Sequence, residues 1–232
     1  MNRFIPALAA FLLSTLAVAH AADTASIEKR VAPCMTCHGK QGRAASDGYY
    51  PRIAGKPAGY LYNQLLNFRD GRRTQYAQMT YMVQYLSDDY LREMAEYFSS
   101  LHVPYPPPVP VEATKDMLDK GHALVTKGDP SRKIPACIAC HGEALTGLVP
   151  SIPGLLGLPR DYINAQFGGW REGTRHSAAP DCMGHIAQTL RADEISAVSA
   201  WLASQNVPAD ASPSTANVKL PVACGSVPQE AK

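Results

Sequence analysis

The chain has 232 residues, 46% of them hydrophobic, with 22 basic and 20 acidic side chains and a formal net charge of +2. That balance gives no sign of a nucleic-acid partner. The length suits one large domain or two of about 100 residues each.

The first 22 residues read as a secretory leader. Asn2-Arg3 is a short positive start, Phe4 to Val18 is apolar, and Ala19-His20-Ala21 fits a small-residue cleavage site. The apolar run is short for a membrane span, which needs roughly 20 residues, and no other segment is long and apolar enough to span. Cleavage after Ala21 or Ala22 is therefore predicted, with export to the oxidising side of a bacterial membrane, the periplasm.

Residues 23–103 are predicted as a first domain. It carries Cys34-Met35-Thr36-Cys37-His38, a C-x-x-C-H motif. That pattern attaches c-type haem: two thiols add across the porphyrin vinyl groups and the adjacent histidine reaches the iron. Zinc would need a fourth ligand that the local sequence lacks, and a redox dithiol needs no histidine after its second cysteine. A P-x-I-x-G element follows at Pro51 to Gly55, then Tyr60-x-x-x-Gln64 and Phe68-Arg69-Asp70-Gly71-Arg72-Arg73. Leu61, Leu65 and Phe68 mark a middle helix. Leu91, Met94, Ala95, Phe98 and Leu101 mark a last one, with Ser87 as N-cap and Asp88-Asp89 in its first turn.

Residues 104–112 form a predicted linker, because five prolines in seven residues cannot continue a helix. Residues 113–207 then repeat the first half. Leu118 and Val125 mark a helix in which Gly121 permits close crossing. Cys137-Ile138-Ala139-Cys140-His141 stands 103 residues after the first motif. Pro150 to Gly154 offers a second P-x-I-x-G, followed by Tyr162-x-x-x-Gln166 and Trp170-Arg171-Glu172-Gly173-Thr174-Arg175. Ile195, Val198 and Leu202 repeat the last stripe. Such self-similarity means a duplicated domain, and no alternating run argues for a substantial sheet. The expected class is all-α. Each half has a modest core, so a covalent haem must supply much of the interior. Residues 208–232 are an extra tail.

Two haems make this an electron-transfer protein in expectation. Cys34, Cys37, Cys137 and Cys140 are the predicted thioether positions, and His38 and His141 the first axial ligands. Met79 and Met183 each stand seven residues before a leucine, Leu86 and Leu190, that precedes the last helix of its half. They are the predicted second axial ligands, which would raise the potential and leave no open position for substrate. Met82 is expected to be core filler, which leaves the choice between Met79 and Met82 to be tested. His102 and His122 are expected at the surface, and His20 leaves with the leader. His185 is a weaker competitor for the second iron. The carbonyls of Pro51 and Pro150 are expected to hold the His38 and His141 rings. Tyr60, Tyr162, Arg73, Arg175 and Trp170 either hydrogen-bond haem propionates or pack as ordinary aromatics and charges.

The arrangement resembles the dihaem cytochromes c4, of the class I cytochrome c superfamily, from about Ser26 to Val207. The resemblance rests on the paired C-x-x-C-H-G motifs, Pro51 to Gly55, Tyr60-x-x-x-Gln64, Gly71-Arg72-Arg73-Thr74, Leu86-Ser87-Asp88-Asp89 and Ile134-Pro135-Ala136-Cys137. It implies two tandem class I folds packed about a pseudo-twofold axis, two covalent haem c groups with propionates near the domain interface, and His/Met ligation at both irons. It also implies electron delivery between respiratory-chain donors, such as a membrane cytochrome complex, and a terminal oxidase or other reductase.

The chain departs from that family at Cys182, Cys224 and the tail. Two spare cysteines in an exported protein most simply form a disulfide, here worth roughly 3–4 kcal/mol by the chain-entropy model. An unusual ligand or a reactive thiol is the other reading. Arg191 also replaces the cap seen at Ser87. Two further functions stay open: a sulfur-compound oxidoreductase or peroxidase with a labile second haem, and an electron-accepting cytochrome subunit of a dehydrogenase. Membrane association, through a membrane partner, also stays open.

Overall fold

The computed structural model describes residues 27–44 and 48–228, so the predicted leader lies outside the described residues. The first half comprises α1 (Ile27–Arg30), α2 (Ala32–His38), α3 (Ala58–Arg69), α4 (Ala77–Val83) and α5 (Asp88–Ser100). The second comprises α6 (Lys115–Lys127), α7 (Ile138–His141), α8 (Arg160–Arg171), α9 (Cys182–Thr189) and α10 (Ala192–Ser204). A two-stranded antiparallel hairpin, β1 (Gly147–Leu148) and β2 (Ile152–Pro153), is the small exception to an all-helical reading.

The apolar spacing seen in the sequence closes each core. On α5, Leu91, Met94, Ala95 and Phe98 are buried against Val31, Leu61, Phe68 and Val83. On α10, Ile195, Val198 and Leu202 pack with Val125, Ile163, Phe167 and Leu190. Each fully buried Leu or Phe contributes about 1.5–3 kcal/mol. Ser87 caps α5 by accepting from the Tyr90 N–H at 3.3 Å. At α10 the cap is rebuilt from the other side: the Glu194 carboxylate accepts from the Arg191 N–H at 2.8 Å and pairs with Arg132. Gly121 sits where α6 crosses α10. A Cβ there would run into the Ala197 carbonyl and lie 2.8 Å from the Trp201 Cβ.

The proline-rich segment is extended and tied down. Arg52 donates to the carbonyls of Val103 and Pro104, and its guanidinium lies 3.8 Å from the centre of the Tyr105 ring. The two halves meet through equivalent residues, as a pseudo-twofold arrangement requires. Arg73 and Arg175 form an antiparallel bridge. The Thr74 N–H donates to the Thr174 carbonyl at 2.8 Å, and the His176 N–H to the Arg72 carbonyl at 2.6 Å.

The structure corrects the register of the repeat. Pro57 and Pro159 are the N-caps of α3 and α8, and Gly55 and Gly157 both have positive φ, 72° and 68°. The counterpart of Pro51-Arg52-Ile53-Ala54-Gly55-Lys56-Pro57 is therefore Pro153-Gly154-Leu155-Leu156-Gly157-Leu158-Pro159, not the segment beginning at Pro150. The hairpin absorbs the P-x-I-x-G string at Pro150 to Gly154, which matched by composition alone.

Candidate functional site

In both halves a helical turn collects two thiols and an imidazole. On α2, Cys34, Cys37 and His38 share one face through i, i+3 and i+4 spacing. Cys137 begins the matching turn that ends at His141. None of these four cysteines is in a disulfide. Burial raises the Cys34 and Cys140 thiols and pushes Cys137 up to about 12. Both histidines are buried, at 7% exposure each. Burial lowers their pKa, against the opposing hydrogen bond from each ring. The neutral imidazole that a metal needs is thereby favoured.

His38 Nδ1 donates to the Pro51 carbonyl at 2.8 Å, as expected. His141 Nδ1 donates to the Pro153 carbonyl at 2.8 Å, not to Pro150. This follows from the corrected register, since Pro153 is the true counterpart of Pro51. Both rings are thus oriented through Nδ1, which leaves Nε2 to face the cavity.

Each turn opens on a cavity that a methionine also lines. The first, of about 570 Å³, is lined by Cys34, Cys37, His38, Met79 and Met82. The second, of about 180 Å³, is lined by Cys137, Cys140, His141 and Met183. Met79 lies half-buried against the first core and Met183 against the second. Met82 is 44% exposed, so it is rim rather than the core filler expected. His102, His122 and His185 are exposed. Cys182 and Cys224 form a disulfide.

Between the cavities lies buried positive charge. Arg73 and Arg175 are each 4% exposed. Arg73 donates to Gln64 at 2.9 Å and Gln166 at 2.6 Å. Arg175 donates to the same pair, at 2.6 Å to Gln166 and 3.3 Å to Gln64. The guanidiniums stack on equivalent rings, Phe68 at 4.4 Å and Trp170 at 3.8 Å. Burial, then the neighbouring Arg73, lowers the Arg175 pKa to about 10. Lys56, also buried, is pushed down to about 8 by burial and by Arg52. Among the described residues no carboxylate pairs with Arg73, Arg175 or Lys56. Arg73 Nε and Trp170 Nε1 are buried without a partner. Buried cations and orphaned N–H groups beside two thiol–imidazole cavities fit a group carrying carboxylates, as haem c does.

Sequence reasoning missed Lys56, the shared use of Gln64 and Gln166, and the interface role of His176. A single lysine carries no burial signal, whereas both glutamines already stood in the repeated Tyr-x-x-x-Gln motif.

Fold and site together define a dihaem c-type cytochrome. No protein-family model matches the chain. A relative from Thiomonas intermedia (strain K12), described as a thiosulfate dehydrogenase electron acceptor, is 36% identical over 88% of this chain and 94% of its own. A cytochrome c4 from Pseudomonas aeruginosa is 31% identical over 87% of this chain and 98% of its own. The crystal structure of reduced recombinant cytochrome c4 from Pseudomonas stutzeri superposes with a TM-score of 0.67 at 28% identity, over 79% of this chain and 99% of that one. The chain belongs to the dihaem cytochrome c4 family. It is an electron-transfer cytochrome with two covalently bound haem c groups and two tandem class I folds.

Proposed function

We propose that this cytochrome is the periplasmic electron acceptor of a thiosulfate-oxidising dehydrogenase and passes electrons on to the respiratory chain. The observation that carries this is the match, over nearly the whole of both chains, to a protein described as a thiosulfate dehydrogenase electron acceptor. Two one-electron sites in one chain suit a donor that releases electrons in pairs. Haem c, when bound, supplies the reversible iron couple. In this reading residues 23–103 and 113–207 are the two haem domains, joined by residues 104–112.

Cys34 and Cys37, and Cys137 and Cys140, hold the two groups by thioether bonds. His38 and His141 would ligate through Nε2, with the Pro51 and Pro153 carbonyls fixing their rings. Met79 and Met183 would be the second ligands. Met79 is preferred to Met82 because it is held against the core, and because it precedes the buried Val83 as Met183 precedes the buried Ala187. Arg73, Arg175, Trp170 and Lys56 would receive the carboxylates. With haem bound, a soft thioether and a neutral imidazole as ligands would favour ferrous iron and leave no position for substrate, which supports a carrier over an enzyme.

Stopped-flow mixing of the oxidised holo-protein with a thiosulfate dehydrogenase and thiosulfate tests the reading. Both haems should become reduced, and neither should with thiosulfate alone. Failure of the dehydrogenase to reduce the cytochrome would overturn the partner. Thiosulfate oxidation by the cytochrome alone would overturn the carrier role.

A further inference from the structure

Among the described residues the C-terminal tail has no counterpart in the first half, and the structure places it across the second cavity. Its course is fixed at four places. Near its start, Ser214 joins the edge of β1, donating to the Gly147 carbonyl at 2.9 Å and accepting from the Val149 N–H at 2.9 Å. Near its end, Cys224 is buried and disulfide-bonded to Cys182. The next residue lies backbone to backbone on the loop before α9: the Gly225 N–H donates to the Pro180 carbonyl at 2.9 Å, and a Cβ on Gly225 would collide with the Ala179 carbonyl. The Ser226 carbonyl then accepts from Asn63 Nδ2 at 2.9 Å, so the tail also grips α3 of the other half. Leu220, Val222, Cys224 and Val227 line the same cavity as Met183.

The disulfide lands on the first residue of α9, directly before Met183. That turn is held a second time by Asp181, whose carboxylate accepts from the N–H groups of Gly184 at 2.9 Å and Ser177 at 2.8 Å. A thioether is a neutral, single-point ligand. Its occupancy against a diffusible ligand depends on how tightly the backbone confines it, by the effective-concentration argument that governs any tethered group. Among the described residues of the first half no comparable segment crosses the cavity, and its rim carries the exposed Met82 and Tyr49.

We propose that the disulfide-anchored tail is the positioning element of the second haem site: it confines Met183 and closes that iron to small soft ligands. The inference rests on the assignment of Met183 as second ligand. It gives the tail a purpose in a protein whose proposed partner handles soft sulfur anions, which compete for haem iron.

The test is carbon monoxide binding to the full-length ferrous holo-protein, with the ferric near-infrared sulfur–iron band recorded in parallel, for the wild type, Cys224→Ser and Cys182→Ser. In the wild type the band should correspond to two sulfur–iron bonds per chain, with no carbon monoxide uptake. Each variant should gain one carbon monoxide-reactive haem and lose up to half of the band. The untouched first site serves as the internal measure of folding. Two variants matter because Cys182 adjoins the ligand: an effect of Cys182→Ser alone would be a local disturbance and would overturn the tail's role. Retention of both bonds and inertness in both variants would overturn it as well. Wild-type protein with two sulfur–iron bonds and variants without effect would leave the ligand assignment standing and remove only this inference. Wild-type protein with a single bond would remove the assignment itself.

Discussion

The two halves share a scaffold and differ in how they finish their cavities. The first is roomier, about 570 Å³ against about 180 Å³, and its side of the molecule exposes Tyr49, Tyr81, Met82 and Tyr85. The second is covered by a tail tied down with a disulfide. Both halves keep the turn with two thiols and a histidine, the carbonyl behind its ring and a methionine before the last helix. They differ in cover: a segment outside the repeat lines the second cavity.

The sharpest way to break this comparison is to remove the methionines. Met79→Ala and Met183→Ala should each abolish one of two sulfur–iron bands and lower the potential of that haem by on the order of 0.1 V or more. Met82→Ala should change neither. With the tail in place, the vacated second site should take up carbon monoxide more slowly than the vacated first. Equal rates would erase the difference between the halves.

Packing gives the next effect. Gly121→Ala drives a Cβ into the Ala197 carbonyl and should destabilise the α6–α10 crossing by about 1–3 kcal/mol. Guanidinium denaturation followed at both haems should show the loss mainly in the second half. Uniform destabilisation would mean that the two halves unfold as one unit.

The smallest effect expected is in acid. Although burial opposes its ionisation, Glu194 is held below the ordinary carboxylate range by Arg132 and by the Arg191 N–H and side chain. Asp129 is held at about 2 by Ser131 and Arg132. Carboxylates with depressed folded pKa values contribute stability above their unfolded values and lose it as the pH falls through the folded ones. The cap of α10 should therefore weaken from about pH 4 downward, while Ser87, which does not titrate, keeps α5 capped. Circular dichroism with the visible spectrum of each haem checks the order of loss.

How much of this was legible beforehand depended on the range over which each feature is encoded. The haem motifs, the stripes on α5 and α10, the Ser87 cap and the need for space at Gly121 are local: each is a spacing or a residue type within a few turns of backbone, and the sequence carried them. The cysteine pairing was also inferable, because only two thiols remained outside the motifs. The repeat register was not, since Pro150 to Gly154 and Pro153 to Gly157 both resemble the first-half element. Only the paired helix caps at Pro57 and Pro159, and the carbonyl that meets His141, distinguish them.

The amino-acid sequence by itself thus determined two covalent haem sites, two helical folds and their order along the chain, because covalent attachment and helical periodicity are written in neighbouring residues. Tertiary structure alone decided that Arg73 and Arg175 share Gln64 and Gln166, that Lys56 is buried between the cavities and that the described part of the tail covers the second cavity and not the first. Those facts depend on which distant surfaces exclude water from one another, and burial of that kind is a property of the packed chain rather than of any segment in it.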